Sequence, residues 1–356
     1  MKTFIQVGTG GFGRYWCRRI IPSLSDVARP VAAVDVNEEH LENAEFAGIP
    51  AECRYTDIRK AVAEHPADFI VLVIPPMYRE PYIDIAIEAG MDIVCEKPLA
   101  ASIGACVRIM NKVKAAGLKL AVTMSHRMEV EKQTVERLVK SGAYGSLNYI
   151  VSRLNIVRGN YENINSPERY VIDCLIHNLD TMRAVSGSDA RTVYAQCWPH
   201  REGGRFIGMS GFATLEMQNG VRAQLEESFA NGSSMDGWSD EYLRAECTDA
   251  TIVADHRKVT VLSDCGFPMP SVAQVPLAQG AYWDHALIVR DFLKWLDGGT
   301  PPVTCLDDNI QCAALVFATI ESMKTGRPVD VQAYLERAIQ SPTDDQGEIS
   351  WISEES

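Results

Sequence analysis

The feature that most limits what this chain can fold into is a hexapeptide with four glycines, Gly8-Thr9-Gly10-Gly11-Phe12-Gly13, set between an apolar run at residues 3–7 and a helical stretch at residues 14–24. The G-x-G-x-x-G spacing alone arises by chance, but a strand before it and a helix after it supply the context its mechanism needs. Glycine at the first two places permits a tight turn and lets backbone approach a pyrophosphate closely. The helix N-terminus beyond offers unpaired N–H groups and the positive end of its dipole. Asp35 closes the second strand candidate, residues 31–35, about 20 residues past the last glycine, where an acid binds both ribose hydroxyls and repels a 2′-phosphate. NAD is therefore expected in preference to NADP. The alternative is an ordinary strand-to-helix turn carrying a surface aspartate.

Apolar runs at residues 3–7, 31–35, 69–74, 93–96 and 118–123 alternate with helical periodicities at 14–24, 78–89 and 103–115. Such strands lack polar alternation, which indicates a parallel sheet covered on both faces. Beyond Thr123 the pattern changes. A long strand-like run at 147–157 and a helical stretch from about 170 to 185 precede strand candidates at 192–197, 211–217, 222–229, 242–247, 251–254 and 259–262. Turn signals such as Gln218-Asn219-Gly220 separate them and suit an antiparallel sheet. Two helices, at 284–296 and 307–324, close this part. The fold class expected is α/β: an N-terminal doubly wound parallel sheet of Rossmann type over 1–123, a second α/β domain with a mostly antiparallel sheet over 124–340, and a polar, acidic tail over 341–356.

A length of 356 residues suits two domains, and 46% apolar with 23% charged residues suits an ordinary globular core. A net charge of −13 argues against nucleic-acid or anionic-membrane partners, which need basic surface. No run approaches the roughly 20 apolar residues of a membrane span, and the N-terminal stretch lacks the form of a signal peptide. Ten cysteines are scattered singly, as expected of reduced thiols in a cytoplasmic protein, and no metal site is expected.

Candidate reacting groups fall in two places. Cys95-Glu96-Lys97-Pro98 ends a strand at the carboxyl edge, where open parallel sheets bind ligands. A lysine there can orient a hydroxyl and stabilise a developing alkoxide, and Pro98 makes a cis bond possible. The bland reading is a solvated lysine at a strand end. In the helix from Tyr170, Asp173 and His177 stand four residues apart, so α-helical geometry puts them on one face with Asp180 nearby, amid apolar neighbours. A neighbouring carboxylate would fix the tautomer of His177, a plausible general base for a hydroxyl. The competing reading is a polar stripe facing water. His126 and Arg127 follow another strand's carboxyl end and are candidates for substrate or nicotinamide contact, or equally for a structural ion pair. Trp238, Trp283 and Tyr282 suit a sugar site or the core, and the remaining histidines show no metal-ligand spacing.

With these residues in place, the chain resembles the Gfo/Idh/MocA family, the glucose–fructose oxidoreductase and inositol dehydrogenase relatives. The likeness runs from the Gly8–Gly13 turn through Glu96-Lys97-Pro98 and Asp173-x-x-x-His177 to the late helices and the Pro301-Pro302-Val303 turn. It implies that the second domain's sheet is large and open and serves as the interface of a homodimer or homotetramer. It implies that Lys97, Asp173 and His177 are the catalytic set, and that Pro75, Glu96 and Lys97 border the cofactor. Four positions depart from the usual pattern. Trp16 stands where many relatives have histidine, Arg79 replaces the histidine of Thr-Pro-Asn-x-x-His, Ser125 replaces an asparagine, and the Asp-His helix lacks its common glycines.

The activity expected is hydride transfer between NAD and a secondary alcohol of a sugar, sugar derivative or cyclic polyol. It requires the Lys97 amine and the His177 imidazole to meet beside the nicotinamide although they come from different domains. A redox-neutral NAD-dependent glycosidase needs the same first half-reaction. A non-catalytic nucleotide sensor has no need of Lys97, Asp173 and His177 together. Substrate choice is expected from the loops 155–168 and 230–240.

Overall fold

The computed structural model describes residues 1–157, 164, 166–199, 208–229, 232–263 and 270–343. Parts of the two expected specificity loops (158–163, 165, 230 and 231), His200 and the tail from 344 lie outside the described residues. The chain divides into two compact units. One comprises Met1–Met124 with Tyr282–Ile310 and a short piece from Pro342, and the other comprises Ser125–Ala281 with Gln311–Ser341.

The first unit is built on six strands: β1 (Lys2–Val7), β2 (Ala28–Val34), β3 (Arg54–Tyr55), β4 (Phe69–Leu72), β5 (Asp92–Cys95) and β6 (Leu120–Val122). All pair in parallel, in the order β3-β2-β1-β4-β5-β6. Every residue of β4 is buried, which explains its unbroken Phe-Ile-Val-Leu sequence: helices cover both faces of a parallel sheet. The order reverses between β1 and β4, and at such a switch point the loops leaving neighbouring strands part to form a ligand crevice. Gly8, Asp35, Pro75, Glu96 and Thr123 all follow the carboxyl ends of these strands.

The helix Asp284–Leu296 belongs to this first unit, although its sequence position suggests residence in the 124–340 domain. Val289, Phe292 and Leu293 enter the core formed by Phe4, Trp16 and Phe69. Phe69 meets Phe292 with ring centroids 5.6 Å apart and Phe4 at 5.1 Å. Periodicity reveals the apolar stripe of such a helix but not which sheet receives it.

The second unit carries, among the described residues, nine strands: β7 (Leu147–Asn155), β8 (Ala190–Pro199), β9 (Met209–Met217), β10 (Arg222–Ser228), β11 (Tyr242–Cys247), β12 (Ala250–Asp255), β13 (Lys258–Ser263), β14 (Ser271–Val275) and β15 (Val329–Asp330). They form one sheet, ordered β14-β13-β12-β11-β7-β10-β9-β8-β15. All neighbours are antiparallel except β7 and β10. Asn219-Gly220 turns the chain between β9 and β10, Gly220 at φ +89°, a left-handed conformation that glycine adopts without a Cβ clash. Burial alternates along β10, so one face is covered. The helix Ile176–Ser186, buried along its whole length, lies in this unit.

The stretch expected as one α-helix from about 170 to 185 is composite: an α-turn Pro167–Tyr170, a π-helical turn Val171–Leu175, and the α-helix Ile176–Ser186. A second π-turn, Trp16–Ile20, follows the glycine loop. A π-turn inserts a residue into the ladder and rotates everything beyond it, and such turns often mark working sites. No described helix is long and apolar enough to cross a membrane.

Candidate active site

In the first unit the glycine loop is shaped by contacts that exclude side chains. Gly8 has φ +85°, and a Cβ there would stand 2.1 Å from the Val73 carbonyl oxygen; one on Gly13 would stand 2.3 Å from the Gly8 carbonyl oxygen. Bare backbone therefore packs strand, loop and helix together. Oδ2 of Asp35 accepts hydrogen bonds from the amides of Thr9 (2.8 Å) and Gly10 (3.1 Å), and Oδ1 accepts from the Asn37 amide (3.0 Å). Burial pushes the Asp35 carboxyl upward, yet those amides and His40 outweigh it and hold it below its usual range. His40, one of the histidines without metal-ligand spacing, lays its ring against Gly10 and places Nδ1 3.3 Å from Asp35 Oδ1. Phe12 and Tyr15, both about half exposed, stack 5.4 Å apart beside the loop.

Beyond β5 the Glu96-Lys97-Pro98 turn is held from two sides. Arg79 is buried and directs its guanidinium at carbonyls: Nε donates to Ile74 (2.9 Å), Nη1 to Glu96 and Pro98, and Nη2 to Lys97 at 3.4 Å. On the other side Glu96 Oε1 accepts from Trp16 Nε1 (2.7 Å) and stands 3.1 Å from His285 Nε2, while His285 Nδ1 stands 2.5 Å from Asp284 Oδ1. Burial works upward on the Glu96 carboxyl, but the His285 charge and the bonds from His285, Trp16 and Thr123 bring it below its ordinary value. Burial alone would lower the His285 pKa; the two carboxylates overcome it and raise the value to about 10. Lys97 itself is half-buried between buried Glu96 and Pro98, and the Lys97–Pro98 bond is cis. Pro75 is exposed at the end of β4.

In the second unit His177 is buried and stacked on His126, ring centroids 3.7 Å apart and planes 13° from parallel. Trp238 stands edge-on to both, at 5.0 Å from His126 and 5.9 Å from His177. His126 Nδ1 lies 2.6 Å from Glu241 Oε1, and its Nε2 lies 3.1 Å from Ser239 Oγ. Lys132, also buried, donates to the other oxygen of Glu241. Burial pushes the Glu241 carboxyl up, and the charges of Lys132 and His126 more than reverse this, holding it far below the ordinary range. Arg127 pairs with Asp180 at 3.2 Å, which Arg183 also holds at 3.2 Å. Asp173, a third exposed, pairs with Arg169 at 3.4 Å within the π-turn region. Glu241, Lys132 and Ser239 carried no local signal in the sequence.

Comparison with known proteins gives this geometry its family. The model for the oxidoreductase family with an NAD-binding Rossmann fold, Gfo/Idh/MocA, matches residues 2–124, and that for the Gfo/Idh/MocA C-terminal domain matches residues 133–253. The chain belongs to the Gfo/Idh/MocA family. It is 32% identical over 349 residues to the uncharacterised protein y4oX of Sinorhizobium fredii, covering 93% of this chain and 96% of that one. It is 27% identical to an inositol 2-dehydrogenase of Corynebacterium glutamicum, over 78% and 86% of the two chains. An oxidoreductase from Agrobacterium radiobacter, solved with NAD+, L-tartaric acid and magnesium, shares the fold with a TM-score of 0.81 at 20% identity, over 93% of this chain and 99% of that one.

This Gfo/Idh/MocA protein is thus an NAD-dependent oxidoreductase. Its residues fit the cofactor. The loop presents backbone that a Cβ at Gly8 or Gly13 would displace, and Asp35 offers a carboxylate held ionised at the end of β2. The two family departures at Trp16 and Arg79 both act on the Glu-Lys-Pro turn, one on its acid and one on its carbonyls.

Proposed function

We propose that this family member interconverts a secondary alcohol of a sugar, sugar derivative or cyclic polyol with the corresponding ketone, using Lys97, Asp173 and His177. The observation that carries the reading is the His177 imidazole, buried against a second imidazole with a tryptophan edge beside both. An imidazole can serve as a general base, and the rings beside it offer surfaces that suit a polyol's C–H face. In the oxidising direction His177 takes the hydroxyl proton, the Lys97 ammonium steadies the oxygen as its charge grows, and Asp173 orients the hydroxyl. NAD, when bound, supplies the hydride acceptor. Gly8, Thr9, Gly10, Gly11, Phe12, Gly13 and Asp35 hold the cofactor, with Pro75, Glu96 and Lys97 at its reactive end. The C. glutamicum relative, named for inositol, supports the substrate class.

The sheet of the second unit supports self-association. Tyr194, Phe212 and the half-exposed Trp198 form an aromatic row on it, at 6.2 Å steps, suited to a second copy of the chain in a homodimer or homotetramer. The functional test is NADH absorbance against inositols, aldoses and glycosides, with glycoside cleavage followed in parallel. NADH formation with at least one polyol or aldose is expected, and His177→Ala lowers turnover by about 100-fold or more while NAD binding persists. Glycoside cleavage without net NADH, or equal loss of turnover and NAD binding in His177→Ala, overturns the reading.

A further inference from the structure

The first unit brings together Glu96, His285 and Asp284, and of these His285 has no part in cofactor binding or hydroxyl chemistry. Glu96 and His285 are each more than nine-tenths buried. One oxygen of Glu96 gathers two helices, taking Trp16 Nε1 at 2.7 Å from the helix after the glycine loop and standing 3.1 Å from His285 Nε2 in the first turn of the helix Asp284–Leu296. Thr123, after β6, donates its hydroxyl to the Cys95 carbonyl beside Glu96 at 3.3 Å. His285 in turn meets Asp284 through Nδ1 at 2.5 Å. Asp284 has φ +58°, a left-handed backbone that few non-glycine residues other than Asn and Asp adopt.

Carboxylate oxygens stand 3.1 Å from Nε2 and 2.5 Å from Nδ1 of His285, and two acids this close favour the charged imidazole over the neutral one. The groups facing it are those two carboxylates, the rings of Trp16 (5.7 Å) and Phe12 (5.5 Å), and the Thr123 hydroxyl across the shared acid; the Arg79 guanidinium lies at the backbone of the same turn. Glu96 precedes Lys97 directly, so a clamp on its carboxylate is a clamp on the backbone from which the Lys97 amine extends.

We propose that His285 is a positioning residue for the reacting amine, acting through Glu96 to fix the Glu96-Lys97-Pro98 turn. The proposal rests on the reading of Lys97 as the group that steadies the substrate oxygen. It assigns His285 no contact with substrate. An interaction of this kind is realised as orientation, and misplacement by about 1 Å costs on the order of 100-fold in rate.

The experiment measures kcat, the KM for the alcohol and the NAD dissociation constant in the full chain for His285→Gln, Glu96→Gln, the double variant, Asp284→Asn and Lys97→Ala. Glutamine at 285 donates one neutral bond and loses both the charge and the link to Asp284. We expect kcat to fall at least about tenfold in His285→Gln with NAD affinity held within about threefold, and the same substitution to add less than about threefold in the Glu96→Gln background, because groups acting as one unit are non-additive. Asp284→Asn suits the left-handed backbone and removes one of the two acids holding the proton. The alkaline limb of kcat then moves down by about one pH unit or more, a shift that a purely structural role does not produce. Equal His285→Gln losses in both backgrounds, or an unmoved alkaline limb in Asp284→Asn, overturn the positioning role. If Lys97→Ala loses turnover while His285→Gln does not, the proposal fails and the amine reading stands; if Lys97→Ala keeps turnover, the amine reading fails and takes the proposal with it.

Discussion

Replacing Glu241 by glutamine tests the charge balance behind the stacked histidines. The native carboxylate serves His126 at 2.6 Å and the Lys132 ammonium, and neither Lys132 nor Glu241 is more than 2% exposed. A glutamine offers one amide oxygen for two donors and turns its NH2 on the other, leaving the lysine's charge buried without an acid. Removing one partner of a buried pair costs about 3–5 kcal/mol. For a body of about 150–250 residues that corresponds to a fall in Tm of roughly 6–20 °C. The assay is thermal unfolding of Glu241→Gln, Lys132→Met and the double variant. The double variant removes the stranded charge and recovers at least about 2 kcal/mol of the expected sum. The pH dependence carries a sign of its own. The Glu241 carboxyl is held below its ordinary value of 4.5, so its contribution is complete above that value and is lost as acid protonates the folded form. Wild type therefore loses stability steeply below pH 4.5, and Glu241→Gln flattens that limb. A loss under about 1 kcal/mol in the single variant, or a double variant no more stable than the singles' sum, refutes the balance drawn here.

Two further outcomes concern the cofactor end. Gly13→Ala brings a Cβ to 2.3 Å from a backbone oxygen, so the helix must withdraw by more than about 1 Å to reach ordinary contact. NAD affinity by calorimetry is expected to fall about 100-fold or more with far-UV circular dichroism unchanged, and an unaltered dissociation constant contradicts the packing argument. Asp35→Ser removes the acceptor for the Thr9 and Gly10 amides. Each charge-assisted bond is worth about 1.5–3 kcal/mol, so NAD binding weakens at least about tenfold and the preference for NAD over NADP narrows; an unchanged NAD-to-NADP ratio defeats that role.

How much of this was legible in the sequence depends on the range of the interactions involved. The cofactor loop was readable because glycine spacing, strand end and acid are local consequences of backbone geometry. Trp16 and Arg79 were visible only as departures from a family pattern. Their partners lie 80 residues away at Glu96 and 17–19 residues away at the carbonyls of Glu96 and Pro98, and no periodicity reports such pairings. A shared face for Asp173 and His177 follows from a 3.6-residue repeat, which a π-turn at Val171–Leu175 interrupts. His126 stands out by its place after a strand, yet the carboxylate that holds its ring belongs to Glu241, 115 residues later. Helix Asp284–Leu296 showed its apolar stripe plainly and its destination not at all, since residues 282–310 return to a core begun at the N-terminus.

The departures at 16 and 79 acquire a common logic once charge is counted. A histidine at position 16, as in many relatives, can supply a neighbouring acid with both a hydrogen bond and a positive charge; an indole supplies only the bond. With Trp16 in place, Glu96 keeps a donor at 2.7 Å but needs a cation from elsewhere, and His285 stands 3.1 Å away on the same oxygen. Arg79 does not fill that need, because its bonds go to the carbonyls of Ile74, Glu96, Lys97 and Pro98. It satisfies carbonyl acceptors of that turn, while the carboxylate is balanced by the imidazole. Backbone and acid of one residue are thus held by two different cations, and the separation explains why a histidine so far along the chain, in the first turn of a late helix, bears on a turn that follows the fifth strand.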